Sequence, residues 1–218
     1  MTRRRLAAVE LVGERVRLRP HRGDDAAAAF VLLDGQDEIL RWLVWDGPSS
    51  PVELQEYYRH WCVEGEGGPD LRLAIEELAT GQLAGSLSVR FGGHAGQGDV
   101  GYWVGLTFQR RGLGGEALAL ASHLAFAHLE AQSLHAWVFV GNQTSRKVLE
   151  RTGFTLARTV GGRIQKRGRR VDEWHFVLLA SEWRRRSGDL RPCKAEVHWA
   201  DPSEPDGLDS PARPFPSR

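Results

Sequence analysis

Cysteine is scarce in this chain. Cys62 and Cys193 stand far apart, lack the paired spacing of a zinc site and make no disulfide framework, which points to a reducing compartment. The eight histidines include no His-x-x-x-His pair or other metal spacing, so no metal is expected. A dominant charge is also missing: 29 Lys and Arg against 28 Asp and Glu leave a formal net charge of +1. That balance exerts no global pull toward nucleic acid or an anionic membrane. The longest apolar run, residues 26–33, is far too short to span a bilayer. Residues 1–5 carry three arginines, but no apolar h-region or small-residue cleavage site follows. Neither a signal peptide nor membrane attachment is expected, and the expected location is the cytoplasm.

What is present suits one buried domain: 218 residues, 41% hydrophobic and 26% charged. Residues 187–218 differ from the rest. Pro192, Pro202, Pro205, Pro211, Pro214 and Pro216 lie there, among scattered Asp, Glu and Ser without apolar periodicity. Such a stretch cannot offset its ordering entropy by burial, so a disordered tail is expected after a domain at 8–186.

Within that domain the alternation of Arg15-Val-Arg-Leu-Arg19, stopped at Pro20, predicts a first strand with an exposed basic face. Asp24 and Asp25 open a helix to Leu33. Residues 39–61 read as helix broken by Gly47, Pro48 and Pro51, with Ser50 capping the piece that begins at Pro51. Strands at 71–76, 83–91 and 100–105 are separated by short turns and must be antiparallel neighbours. A long helix over 112–130 carries Leu113, Ala117, Leu120, Ala121, Leu124 and His128 on its core face. A short apolar strand at 134–140, a helix at 142–151 closed by Gly153, and a strand pair at 154–160 and 171–179 complete the chain. The order β-αα-βββ-α-β-α-ββ predicts an α+β fold around one mixed, mostly antiparallel sheet of about seven strands.

The segment Gln109-Arg-Arg-Gly-Leu-Gly-Gly115 joins a strand to a helix. Glycines there can aim several orphan N–H groups at one anion, aided by the helix dipole, or can simply fit a tight turn. No Lys-Ser or Lys-Thr pair follows, which removes a P-loop. Gly112-Leu-Gly114-Gly-Glu-Ala117 formally satisfies the dinucleotide fingerprint GxGxxA. The next strand, however, ends at Val140-Gly141-Asn142 without the acid that would hold a ribose.

At this point the sequence resembles the GCN5-related N-acetyltransferase (GNAT) superfamily, and within it the RimJ/RimL-like group acting on ribosomal-protein N-termini. Gln109, Gly112 and Gly114 match the superfamily's acyl-CoA motif. In order along the chain, Gly13-Glu-Arg-Val-Arg-Leu-Arg-Pro20, Gly85-Ser86, Gly101-Tyr-Trp-Val104, Asn142-Gln-Thr-Ser145, Gly153-Phe154 and Glu182-Trp183 match the group. The resemblance implies a GNAT fold whose fourth and fifth strands splay apart, with acetyl-CoA as co-substrate and no metal. It implies that Trp103, Val104 and Leu106 line the acyl arm. Arg111, Gly112, Leu113, Gly114, Gly115 and Glu116 would hold the pyrophosphate, and Asn142 would orient the arm from the other side. It further implies direct transfer to a primary amine, with Ser145 near the sulfur and Asp172, or more weakly Glu173, as the acid or base. The late helix contains no Tyr, the thiolate donor of many superfamily members.

The aromatic group Trp42, Trp45, Tyr57, Tyr58 and Trp61 falls in the region that overlies the family's acceptor side, so Trp42 and Trp45 are the substrate-side candidates. The run Gln165-Lys-Arg-Gly-Arg-Arg170 has no interleaved aromatics and reads as a solvated hairpin tip, so no direct nucleic-acid binding is expected. His123 and His128 read as packed or surface residues. The expected acceptor is a protein N-terminal α-amine. A small amine such as an aminoglycoside or polyamine, and a non-catalytic acyl-CoA-binding module, stay open, as does the choice between monomer and homodimer.

Overall fold

The computed structural model describes residues 9–63, 71–91, 96–186 and 196–199. Its elements in order are β1 (Val9–Val12), β2 (Val16–Pro20), α1 (Asp25–Leu33), α2 (Asp37–Leu40), α3 (Pro51–Val63), β3 (Leu71–Glu77), β4 (Gln82–Arg90) and β5 (Gln97–Val104). There follow α4 (Leu113–His123), β6 (Ser133–Phe139), α5 (Gln143–Arg151), β7 (Thr155–Lys166), β8 (Arg169–Leu179), α6 (Ala180–Arg185) and β9 (Glu196–Trp199). One nine-stranded sheet runs β7-β8-β6-β5-β4-β3-β2-β1-β9. Every pair in it is antiparallel except β5–β6, which α4 connects as a parallel crossover. The α+β class is therefore as expected, with two strands more than the pattern predicted.

The extra strands are short edge elements that period-two alternation identifies poorly. β1 folds back on β2, and β9 pairs with β1 from Val9↔Trp199 to Val12↔Glu196. Four residues of the expected disordered tail are thus strand, because an edge ladder supplies hydrogen bonds that composition does not reveal. The rest of that segment lies outside the described residues.

The main core lies on one face of the sheet, under α4 and α5. Leu113, Ala117, Leu120, Ala121 and Leu124 are all buried there, each leucine contributing about 2 kcal/mol relative to exposure. His128, expected on the same stripe, is exposed instead. A π-turn at Leu124–His128, with Leu129 N–H donating to the Leu124 carbonyl at 3.1 Å, rotates the helix out of phase. On the opposite face α1 and α3 pack on β4 through Ala26, Ala29, Leu54 and Tyr58, with Ala74 and Leu83 beneath them.

The exposed basic face expected of the first strand holds at Arg15 but not at Arg19, with Arg17 part-buried between them. Arg19 is 3% exposed and donates to Asp25 at 2.7 and 2.9 Å and to Glu76 at 2.6 Å, while Arg17 donates to Glu76 at 3.0 Å. Register explains it: β2 pairs with β3 so that Arg17 sits opposite Glu76, and α1 brings Asp25 over the top. An arginine flanked by two buried carboxylates is stable inside.

Two predicted boundary devices are present as expected. Ser50 Oγ accepts the Glu53 N–H at 3.2 Å, capping the helix that Pro51 begins. Gly153, at φ 94°, closes α5 with Phe154 N–H on the Leu149 carbonyl at 2.9 Å, a Schellman arrangement. The β7–β8 hairpin turns on Arg167 and Gly168, both at positive φ, which suits the twist of a two-residue loop. Among the described residues no helix is long and apolar enough to cross a membrane, and no group of three His, Cys, Asp or Glu is placed to hold a metal.

Candidate active site

The parallel pair β5–β6 opens partway along. Partners run from Gln97↔Ser133 to Val100↔Ala136 and then stop, although both strands continue, to Val104 and to Phe139. β5 stays paired with β4 as far as Val104, so the separation is on its other edge. Gly105 N–H donates to the Ala84 carbonyl on β4 at 2.9 Å. Since donors and acceptors alternate sides along a strand, the main-chain groups of Tyr102 and Val104 face the opening. The Val104 carbonyl there is taken by the Gln109 side-chain amide at 2.9 Å, which leaves the Val104 N–H directed into the gap.

The start of α4 meets this gap from one face. Arg110 (φ 61°) and Gly112 (φ 82°) turn the chain sharply after the short helical turn Leu106–Phe108. The first i→i−4 bond is Glu116 N–H to the Gly112 carbonyl at 3.1 Å, so the N–H groups of Leu113, Gly114 and Gly115 have no intrahelical acceptor. A Cβ on Gly114 would lie 3.4 Å from both the Tyr102 ring and a Val104 methyl, whereas a Cβ on Gly115 would meet nothing within 4 Å. The helix end is therefore packed on β5 at Gly114 and open beside Gly115. Leu113 anchors it with a buried side chain and can offer a ligand only its backbone.

From the other side of the gap comes the start of α5. Gly141 (φ 101°) turns the chain out of β6, and the Asn142 side chain accepts the Ser145 N–H at 3.1 Å as the helix cap. The Ser145 hydroxyl lies 3.2 Å from the Tyr102 hydroxyl. Burial pushes the Tyr102 phenol up to about 12, with the Ser145 contact acting in the opposite direction. Trp42 lies at the mouth, its ring 3.5 Å from where a Cβ on Gly141 would stand.

Gly112, Gly114, Gly115, Val104, Asn142, Ser145 and Trp42 are thus gathered around one opening. Other candidates are used elsewhere. The Arg111 guanidinium turns to Glu77, at 3.0 and 3.3 Å. The Glu116 carboxylate accepts N–H groups from Glu14, Arg15 and Val16 at 2.6, 2.8 and 3.3 Å, tying α4 to the β1–β2 turn. Trp103 and Leu106 pack instead on α1 and α2, in a cluster with Leu33, Leu40 and Trp45. Asp172 is exposed and accepts the Gly162 N–H at 2.9 Å, pinning a bulge in β7. Glu173 is buried and paired with Arg163 at 2.7 Å. The side chain of Trp61 lies outside the described residues.

Nor is the hairpin tip simply solvated. Lys166 is buried and donates to the Trp45 carbonyl at 2.8 Å while pairing with Asp46, and Arg167 pairs with Asp37. Asp37 and Asp46 hold the tip against the Trp45 backbone, a contact across 121 residues that no local pattern announces. Tyr102 is the functional candidate that sequence reasoning missed. Attention to the late helix hid a tyrosine supplied by the strand opposite, and its one signal was its place inside Gly101-Tyr-Trp-Val104.

A splayed parallel pair between two helix N-termini, one glycine-rich, defines the class of acyl-transferring enzymes that the resemblance suggested. The acetyltransferase (GNAT) domain family matches residues 15–155, and the chain belongs to it. It is an N-acetyltransferase. It is 26% identical over 183 residues to YdaF of Bacillus subtilis, whose name describes a ribosomal N-acetyltransferase, covering 79% of this chain and 95% of that one. Its fold is similar to that of Mycobacterium smegmatis RimJ, solved in complex with CoA-disulfide (TM-score 0.72, 21% identity, 88% and 97% of the two chains). It is also similar to that of the microcin C7 self-immunity acetyltransferase MccE, solved with acetyl-CoA and AMP (TM-score 0.67, 19% identity, 76% and 93%).

Proposed function

We propose that this chain uses acetyl-CoA and that its acceptor is a protein N-terminal α-amine. The observation that carries the donor side is the gap itself: unpaired strand edge at Tyr102 and Val104, orphan N–H groups at residues 113–115 and open space beside Gly115. These groups suit a phosphorylated thioester with an extended amide arm, which can add to the free edge as a strand would. When bound, acetyl-CoA supplies a thioester whose acetyl group passes to the amine and whose thiol is released. The Val104 N–H would donate to the thioester carbonyl oxygen as negative charge grows there. Ser145 would donate a hydrogen bond to the departing sulfur. Gly112 to Gly115 would bind the pyrophosphate through backbone rather than through Arg111 or Glu116.

Two arguments support the acceptor. Asp172 and Glu173 are both committed to other partners, Gly162 and Arg163. Without either as a base, an amine already partly neutral is favoured, and an α-amine, at about 7.7–8.0, is far closer to neutrality than a lysine at about 10.4. YdaF, named for ribosomal N-acetylation, spans nearly the same length.

Calorimetric titration with acetyl-CoA, with NAD as control, tests the donor, and initial rates on peptides tests the acceptor. Acetyl-CoA should bind, NAD should not, and Gly115→Trp should abolish binding without unfolding because its side chain fills open space. A peptide with a free N-terminus should outcompete its N-blocked, lysine-bearing counterpart and an aminoglycoside. Heat with NAD and none with acetyl-CoA would overturn the donor assignment, and preference for the aminoglycoside would overturn the acceptor.

A further inference from the structure

We propose that Tyr102 is a positioning residue for the transfer: its hydroxyl donates to Ser145 Oγ and so leaves the Ser145 hydroxyl hydrogen available to the departing sulfur. The inference rests on the assignment of Ser145 made above and adds a residue from a different element. The two oxygens are 3.2 Å apart. Neither side chain is free to drift. The Tyr102 ring is partly buried, packs against the main core and lies against Gly114, where a Cβ would stand 3.4 Å away. Ser145 is fixed by its own N–H on Asn142 Oδ1 at the start of α5. The ring thus spans the widened half of the β5–β6 gap and sets the spacing between the two helix N-termini.

Chemistry decides the direction of the bond. A phenol is a stronger donor than an aliphatic alcohol, so the neutral pair is best satisfied with Tyr102 donating and Ser145 accepting. The serine hydrogen is then not spent on Tyr102 and is available to the sulfur. Burial keeps the phenol protonated, its loss of a proton pushed up to about 12. A thiol ionises near 8.5, so passing a proton from this phenol through serine to a thiolate would be strongly uphill. The pair therefore acts by hydrogen bonding, and the proton that the amine loses on acylation, passed through solvent, is the one the thiolate takes up.

The test uses the full chain carrying Tyr102→Phe, Ser145→Ala and both together. Phenylalanine keeps the ring and its contact with Gly114, removing only the hydroxyl. Two readouts are needed: kcat and KM for acetyl transfer, and the pH at which the thiol of bound CoA ionises, followed by thiolate absorbance against the CoA-free protein. Y102F should lower kcat about tenfold with either KM changed less than about twofold. S145A should lower kcat at least as much, and the double variant should match S145A alone. Bound CoA should ionise at higher pH in both single variants. S145A active as wild type, with unshifted thiol ionisation, would overturn both the Ser145 assignment and this inference. S145A impaired but Y102F unchanged in both readouts would overturn the inference alone, as would losses that multiply in the double variant.

Discussion

Glu116 separates a structural role from a binding role in the same loop. Its Oε1 accepts three backbone N–H groups of the β1–β2 turn, at 2.6, 2.8 and 3.3 Å. A hydrogen bond to a charged group contributes about 1.5–3 kcal/mol when its loss leaves the partner unpaired. Glu14 and Arg15 are exposed, so water can replace the carboxylate at those two donors, and about 1 kcal/mol for each of the three bonds is the better figure. Glu116→Ala should then cost about 3 kcal/mol, and Glu116→Gln, which keeps an acceptor of the same shape, about 1 kcal/mol. For a domain of this size each kcal/mol lowers Tm by about 2–4 °C, giving roughly 6–12 °C for alanine and 2–4 °C for glutamine. Gly13→Ala provides an independent check, because its Cβ would stand 2.3 Å from the same oxygen and must displace it. Its cost should approach that of E116A and should not add to it. Urea unfolding and scanning calorimetry measure the stabilities, and isothermal titration well below Tm measures acetyl-CoA affinity, expected to stay within about twofold of wild type. An E116A variant that unfolds within about 0.5 kcal/mol of wild type yet loses acetyl-CoA would refute the reasoning and restore the expectation that Glu116 holds the cofactor.

Three further outcomes are expected. Arg19→Met leaves Asp25 and Glu76 facing each other without their shared cation, and should cost about 3–5 kcal/mol in urea unfolding; a loss below about 1 kcal/mol would mean that the carboxylates find other partners. Lys166→Met should loosen the hairpin tip from Trp45 and Asp46, raising KM for a peptide acceptor while leaving acetyl-CoA affinity unchanged; an unchanged acceptor KM would detach the hairpin from the acceptor side. Stability should fall on mild acidification, because burial holds His21, His135 and His175 below the ordinary histidine value. The unfolded chain then binds protons below about pH 6.5 that the folded chain does not. Asp25 adds a second loss at lower pH: burial alone would raise it, but Arg19, His21 and the Arg22 N–H together hold it well below the usual carboxylate range. Its contribution is present above about pH 4 and disappears as pH falls further. Urea midpoints that stay level or rise between about pH 7.5 and 5 would contradict the histidine part.

Legibility in the sequence followed the range of the interactions. Features set within one element were readable: the apolar stripe of α4 up to Leu124, the Ser50 cap and the Gly153 stop. Each depends on spacing along a single backbone. Features set by register between elements were not. Arg19 reads as surface until Glu76 and Asp25 are brought to it. Lys166 reads as a solvated tip until the α2 side closes on it, and Glu116 reads as part of a phosphate loop until the β1–β2 turn occupies its carboxylate. His128 failed for a subtler reason, since one π-turn moves the helical phase and no residue of Leu124–His128 signals it.

The candidate site belongs to the second kind, because it depends on how separate elements meet. A glycine-rich helix start and an Asn-x-x-Ser helix start are each ordinary, and either could serve only its own helix. What makes them a site is the break in pairing after Val100 and Ala136, which leaves the main-chain groups of Tyr102 and Val104 facing an opening flanked by both helices. The same break explains why Gly114 and Tyr102 depend on each other. A side chain at position 114 would push the ring, and the ring carries the hydroxyl that meets Ser145. One glycine of the loop therefore bears on the serine across the gap as well as on its own turn, a coupling that spacing along the chain cannot express.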